Sequence, residues 1–356
     1  MRALKTRRSV TNFASGAAVL VAASLLLGGC TSSTPPKDDP TDASTPAVSE
    51  TPTPTPAAVA KAPLTGLPLA AGAGANASIA SKIDNQFLAR PQVGLQYTDL
   101  VFEELVEGGL TRYVAVWQSN IPKLYGPVRS IRGMDPAIVS PFGGIITYSG
   151  GQPIFVDGIK KTDVINVSHD MYSGDPDIFY RTKEKKAPHN VIAKGENIIK
   201  KFGEGVAAPA QQFEYSDDLA TSTAVVSGTP TSKIKPVFSD ASKPTWDWNA
   251  EKSVWLRTQD NGKIDVDNDG NQLQAVNVVT MRVKLKTISH TPVSQLVGSN
   301  KATVSSGGKT VEGTWTKDAL TDKITLTDAA GAPIALAPGN TWIELVASGG
   351  SVTTVE

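Results

Sequence analysis

The chain has 356 residues, with 34 basic and 34 acidic side chains, 40% hydrophobic residues and one cysteine. That length and apolar share suit one or two globular domains, and a lone cysteine excludes an internal disulfide framework. Four bases and no acids fall in the first 29 residues, so from Cys30 onward 30 bases face 34 acids, a net charge of −4 that gives nucleic-acid binding no support.

Arg2, Lys5, Arg7 and Arg8 open the chain, and an apolar run from Ala14 ends in Leu27-Gly28-Gly29-Cys30. A basic start, a short apolar core and small residues at the cut make residues 1–29 a signal peptide. The core is too short to span a bilayer comfortably. LGGC resembles a bacterial lipobox, whose cysteine receives a diacylglyceryl group, so Cys30 is the expected lipidation site. Two acyl chains suffice for stable anchoring. The expected location is the outer face of the cell membrane, lipid-anchored and extracytoplasmic.

Residues 30–62 are rich in Thr, Pro, Ser and Ala, with TPTPTP at Thr51–Pro56. They hold too few large apolar residues for a core. Alternating proline favours a semi-rigid spacer of about 3.1 Å per residue. Residues 63–205 read as an α/β domain, with apolar β-branched runs at Ile79–Ile83, Leu100–Val106, Leu110–Trp117 and Ile145–Tyr148 and a helical patch near Asn190–Phe202. Residues 206–230, with Ala207-Ala208-Pro209, read as a linker. Residues 231–350 carry short alternating runs such as Ser253–Arg257, Val276–Leu285 and Thr341–Val346, the pattern of a smaller β-rich domain. Five of the six tryptophans lie there, at spacings that suit a strand core.

The stretch EELVEGGLTR, Glu103–Arg112, reads as a hairpin with Gly108-Gly109 as a two-residue turn. That register pairs Leu105 with Arg112 and sets Glu103 and Glu107 diagonal to Arg112, on one face, with Glu104 on the other. In GPVRSIRGMD, a helical turn after Pro127 would put Arg129 and Arg132 on one side. Paired guanidiniums suit a carboxylate or phosphate. Asp84 and Asn85 end an apolar run, and His189 follows a proline beside Asn190, where it can serve as an acid, a base or a cap.

The segments KIDN, ARPQVGL, DLVFEELVEGGLTRYVAVWQS, GPVRSIR, SGGQP and KAPHN, in this order, resemble the N-terminal domain of the YerB-like lipoproteins. These are Gram-positive surface lipoproteins built on a domain of unknown function. WDWNAEKSVWLR, NQLQAVNVV, VEGTWTKD and PGNTWIELV are similar to the family's C-terminal domain. The resemblance implies a layered mixed-sheet α/β (α+β) N-terminal domain followed by a smaller β-rich domain. It brings no reaction. Its motif residues fall here on Asp84, Arg90, Glu103, Glu104, Glu107, Arg112, Arg129, Arg132, His189 and Asn190. The family tends to carry a histidine before an aspartate in its second domain, where this chain reads GKIDVDNDG.

That stretch contains DVDNDG, Asp265–Gly270, the first half of an EF-hand loop. Its twelfth position would be Val276, where a bidentate Glu is required, so a polar β-turn is expected. No metal is expected, because His169, His189 and His290 are scattered and the one cysteine is assigned to lipid. No cofactor fingerprint is present. The favoured reading is a non-enzymatic envelope lipoprotein that binds an anionic or peptidic wall component or a partner protein through an Arg/Glu cleft. The alternative is an enzyme on cell-wall material, with Glu, Asp and His as acid and base and an arginine clamp. A third reading makes the charges a closed structural network.

Overall fold

The structure, a computed structural model, describes residues 60–70 and 74–356. The signal peptide, Cys30 and most of the spacer lie outside the described residues. Among the described residues no helix is long and apolar enough to cross a membrane.

Runs of Val, Ile and aromatic residues become strands where both faces can be covered. The first half supplies β1 (Ile79–Asp84), β2 (Leu100–Leu105), β3 (Thr111–Trp117), β4 (Ile145–Tyr148) and β5 (Ile165–Ser168), then a separate hairpin, β6 (Phe179–Arg181) with β7 (Val191–Ala193). The second half supplies β8 (Thr229–Pro230), β9 (Lys233–Val237), β10 (Thr245–Asn249), β11 (Val254–Thr258) and β12 (Gln274–Ala275). It continues with β13 (Asn277–Ile288), β14 (Thr291–Gln295), β15 (Gly298–Ser306), β16 (Lys309–Lys317), β17 (Thr325–Thr327), β18 (Thr341–Ala347) and β19 (Ser351–Val355).

One twelve-stranded mixed sheet runs in the order β17-β16-β15-β13-β18-β2-β3-β1-β4-β5, with β14 beside β13 and β8 beside β16. A second, antiparallel sheet runs β12-β11-β10-β9-β19. The class is therefore α/β (α+β) with layered mixed sheets, as the sequence implies. The main sheet is shared: β18 lies parallel to β2 on one side and parallel to β13 on the other. Thr341 pairs with Leu100 and Glu344 with Glu103, so strands from both halves are neighbours in one ladder.

Strand alternation sorts the core into two layers. Ala80, Leu100, Phe102, Val114, Val116, Ile343 and Leu345 face one apolar cluster, which also takes Ile138 and Val139 of the helix Asp135–Val139 and Phe155 and Ile159 of the helix Pro153–Ile159. Ile79, Ile83, Val101, Tyr113, Ala115, Trp117 and Trp342 face the other, where Ile234, Trp246 and Trp255 of the second sheet close over them. Trp246, Trp255, Trp315 and Trp342 are all buried, which is the core role their spacing suggests.

Two local expectations are corrected. The hairpin turn takes three residues, Glu107–Gly109, with Val106 N donating to Leu110 O at 2.8 Å. Both glycines adopt φ near +70°, and a Cβ on Gly109 would sit 2.9 Å from Ser239 Oγ. The pairing becomes Leu105 with Thr111, Glu104 with Arg112 and Glu103 with Tyr113. A slip of one residue moves every side chain to the other face. The second correction concerns Arg129 and Arg132, which are not helical. Residues 127–131 run extended between β1 and β4: Arg129 N donates to Lys82 O (2.7 Å) and Ser149 N to Arg129 O (2.9 Å). The helix begins only at Asp135.

Between the two sheets sits Arg257 of β11, fully buried. It pairs with Glu103 at 2.7 Å, Asp265 at 2.9 Å and Glu344 at 3.4 Å, and its guanidinium lies 5.0, 5.3 and 5.7 Å from the ring centres of Trp342, Trp246 and Tyr113. Trp246 Nε1 donates to Glu344 Oε1 at 2.6 Å. Three carboxyls surround one cation, so burial and then the neighbouring Glu103 push the Glu344 carboxyl well above its usual range. This favours the protonated form of Glu344.

Removing the cation leaves buried carboxylates unpaired, and Arg257→Met is expected to cost about 3–5 kcal/mol in urea unfolding. A carboxyl raised in the folded state contributes its stability below its unfolded pKa, and that stability is lost as pH rises toward the folded value. Wild type should therefore lose more stability than Glu344→Gln as pH rises above the unfolded value of 4.5. Equal pH slopes for the two proteins would refute the protonated state.

Candidate functional site

The corrected register builds the site. Asp84 of β1, Arg112 of β3 and Glu104 of β2 stand in one cross-strand row, on one face. Glu103 faces the opposite side. The expected Glu103–Arg112–Glu107 trio therefore does not form, because the longer turn rotates Glu103 away from Arg112.

Asp84 stands at one end of the row, with Arg112 in the middle, and has no side-chain exposure. Its Oδ2 accepts from Arg129 Nε at 3.0 Å and from His189 Nδ1 at 2.7 Å, and its Oδ1 accepts from Gln86 N at 3.2 Å. A carboxylate only accepts, so Nδ1 carries the hydrogen of this contact, and among the described residues Nε2 has no hydrogen-bond partner. His189 arrives on the loop before β7, while Arg129 arrives on the extended insert after Pro127. The insert's backbone bonds to β1 place Arg129 beside the end of that strand.

Arg132 is spent on the protein itself. Its Nε and Nη2 donate to Glu107 Oε2 at 3.0 and 2.8 Å, and its Nη1 donates to Ile131 O at 2.9 Å and Ser130 O at 3.2 Å. Thr291 donates to the other Glu107 oxygen at 2.6 Å. Arg112 Nη1 donates to the same Ser130 carbonyl at 3.0 Å. Among the described residues, Arg112 Nε and Nη2 and both Arg129 Nη atoms have no hydrogen-bond acceptor. Burial, with Arg132 and Arg129 close by, lowers the Arg112 guanidinium to about 10. It remains charged at neutral pH and lacks a carboxylate partner.

The remaining candidates are distributed elsewhere. Glu104 lies deeper, in contact with Lys82, which also donates to Asp135 at 2.7 Å. Glu103 belongs to the Arg257 cluster. Arg90 donates to Asn85 Oδ1 (3.1 Å) and Asn85 O (2.8 Å), and Asn85 donates to Thr111 Oγ1 at 2.8 Å, which links Arg90 to the Glu103 side. Asn190 accepts from Arg181 at 2.8 Å and donates to Thr182 O at 3.2 Å, so it fixes the β6–β7 hairpin and does not join His189 at Asp84. The Asp265–Gly270 stretch is a turn: Asp265 is bound to Arg257, and Asp267 accepts from Asp269 N at 2.8 Å and Asn271 N at 2.9 Å. Sequence reasoning missed Lys82, Asp135, Arg257 and Glu344. The available signal was a charge inside an apolar strand run, in SKID, VWLR and WIELV.

Chemically, the face offers cationic N–H donors beside an Asp–His pair, with the acids already engaged. Such a surface suits an anion, and its His Nε2 suits proton transfer.

Residues 64–207 match the N-terminal domain, and residues 234–343 the C-terminal domain, of the family described as protein of unknown function DUF3048; between them they take in more than half of the chain. A Bacillus subtilis (strain 168) protein named "Putative lipoprotein YerB" is 35% identical over 125 residues. That stretch covers 34% of this chain and 36% of the relative, about a third of its length. The crystal structure of the YerB protein from Bacillus subtilis matches with a TM-score of 0.71 at 22% identity, covering 83% of this chain and 99% of that one. At that identity the likeness is one of fold.

Glu107 offers a test of the site's electrostatics. Burial pushes its carboxyl up, but hydrogen bonds from Arg132 and Thr291 outweigh this and hold it at about 2. A depressed carboxylate gives stability above its unfolded pKa of 4.5 and loses it as pH falls toward 2. Wild type should lose stability faster than Glu107→Gln across that acid window, followed by thermal unfolding. Parallel curves would show that the Glu107–Arg132 contact is not formed.

Proposed function

The chain belongs to the DUF3048 family, and we propose that it is a lipid-anchored envelope protein that binds an anionic group of a cell-wall component at the Asp84 face. Cys30 in LGGC is the anchor point, and residues 30–62 give the folded part its reach from the membrane. The name of the Bacillus subtilis relative supports the lipoprotein reading. The location is extracytoplasmic, on the outer face of the membrane.

One observation carries the binding reading: among the described residues Arg112 and Arg129 keep donors without acceptors, while the nearby acids Asp84 and Glu107 are engaged. Burying most of a guanidinium without a carboxylate partner is costly unless something else accepts from it. A phosphate or carboxylate does so in two-point fashion. Arg132, locked by Glu107, adds positive potential, and Asp84 holds both Arg129 and His189 in place. A second reading rests on the 2.7 Å His189–Asp84 contact. An Asp-oriented imidazole beside a phosphate-sized anion site has the parts of a general base.

Thermal unfolding of the chain lacking its first 29 residues tests both. Glycerol-phosphate polymers, peptidoglycan fragments and inorganic phosphate serve as probes. A ligand at a hundred times its Kd stabilises by about 2.7 kcal/mol. The shift should appear in wild type and vanish in a folded Arg129→Ala variant. An equal shift in the variant, or none with any probe, overturns the site. If a bound probe is also turned over, and His189→Ala still binds but stops turnover, the enzyme reading replaces simple binding.

A further inference from the structure

Beneath the arginine face, between the helix Asp135–Val139 and the main sheet, three ionisable side chains are sealed from solvent. Lys82 of β1, Glu104 of β2 and Asp135 each have 0% side-chain exposure. Lys82 Nζ touches Glu104 Oε1 and donates to Asp135 Oδ1 at 2.7 Å. Asp135 Oδ2 is fixed by Arg132 N at 2.6 Å. The cross-strand neighbours of Lys82 are apolar, Val114 and then Phe102.

Glu104 is anomalous as an ordinary ion-pair partner. Among the described residues, neither of its carboxyl oxygens has a hydrogen-bond partner, although both are buried. Arg112, its direct cross-strand neighbour, donates to Ser130 O instead. A buried carboxylate normally collects several donors. This one has an amine against it and little else.

We propose that Lys82 and Glu104 are joined by an intramolecular isopeptide bond, formed after folding with Asp135 as the proton carrier. The Lys82 amine attacks Cδ of the protonated Glu104 carboxyl. The Nζ–Cδ bond forms, the nitrogen gives a proton to Asp135, and Asp135 returns it to the departing hydroxyl as one Cδ–O bond breaks. Ammonium plus carboxylate becomes amide plus water, and no oxidant or other co-reactant is required. Burial draws the Lys82 ammonium down to about 7, against the pull of Asp135 and with help from Arg112 and Arg132, so the neutral amine is populated at neutral pH.

Two physical terms drive the condensation. Fixed neighbours react with effective molarities of about 10⁵–10⁸ M, which offsets the preference of free amines and acids to stay apart in water. The product also replaces two desolvated charges with one neutral amide, which removes the penalty of keeping charges in a dry interior. The bond ties β1 to β2 across β3, on the strands that carry Asp84 and Arg112.

The test is mass spectrometry of the full chain, denatured, beside Lys82→Arg. Wild type should be one water lighter than its own sequence, and a protease digest should yield a branched peptide holding Lys82 and Glu104. Lys82→Arg should show its full mass. Denaturation precedes the measurement, so the wild-type result does not depend on a variant folding. Wild type at full mass, with Lys82 and Glu104 in separate linear peptides, overturns the bond, as does a water loss located elsewhere. A folded Asp135→Asn variant should keep its full mass, and one that also loses water overturns the role given to Asp135.

Discussion

The fold depends on one buried cation. Arg257 comes from the second sheet, and two of its acidic partners come from adjacent strands of the first: Glu103 on β2 and Glu344 on β18. Its aromatic walls also come from both sheets, with Trp246 on one side and Tyr113 and Trp342 on the other. An apolar contact would allow the sheets to slide, whereas a guanidinium with three acceptors fixes register and angle together. Such a cluster gains little over well-packed apolar residues in free energy, and its value is in specifying a single arrangement.

The main sheet therefore carries two charged layers with opposite fates. On the Arg257 side acids outnumber bases, and the guanidinium is buried and bonded to Glu103, Asp265 and Glu344. On the Asp84 side Asp84 and Glu107 are engaged by donors, and the donors left over are cationic. A structural network alone accounts for the first layer but not for the second, where Arg112 shares a carbonyl with Arg132 and keeps two donors free of protein partners. That asymmetry separates the part that holds the molecule together from the part on which the proposed binding site rests.

The strands of the first half and the tryptophan core could be read from the chain; Asp84, Arg112, Arg129, Arg132 and His189 stand out in it too, but whether they meet does not. Alternation and β-branching are local signals, and local signals survive in a sequence. The turn at Glu107–Gly109 could not be read reliably, because Gly-Gly fits two- and three-residue loops alike. One residue of slip was enough to exchange the roles of Glu103 and Glu104. Arg257 and Glu344 were invisible for a different reason. Each looks like an ordinary strand charge, and only a partner about 90 or more residues away shows that it faces inward. Lys82 had a better signal, a base amid small and apolar residues in a strand covered on both faces, and that signal passed unread.

The position of β18 has a consequence for how the molecule is made. Thr341, close to the end of the chain, lies beside Leu100, and β18 alone bridges β2 to β13. A chain made from its N-terminus cannot close this sheet until β18 has arrived. Until then β2 presents an unpaired edge with a buried-type sequence, the kind of surface that chaperones hold. The architecture thus ties closure of the main sheet to one late strand, however early β2 is made.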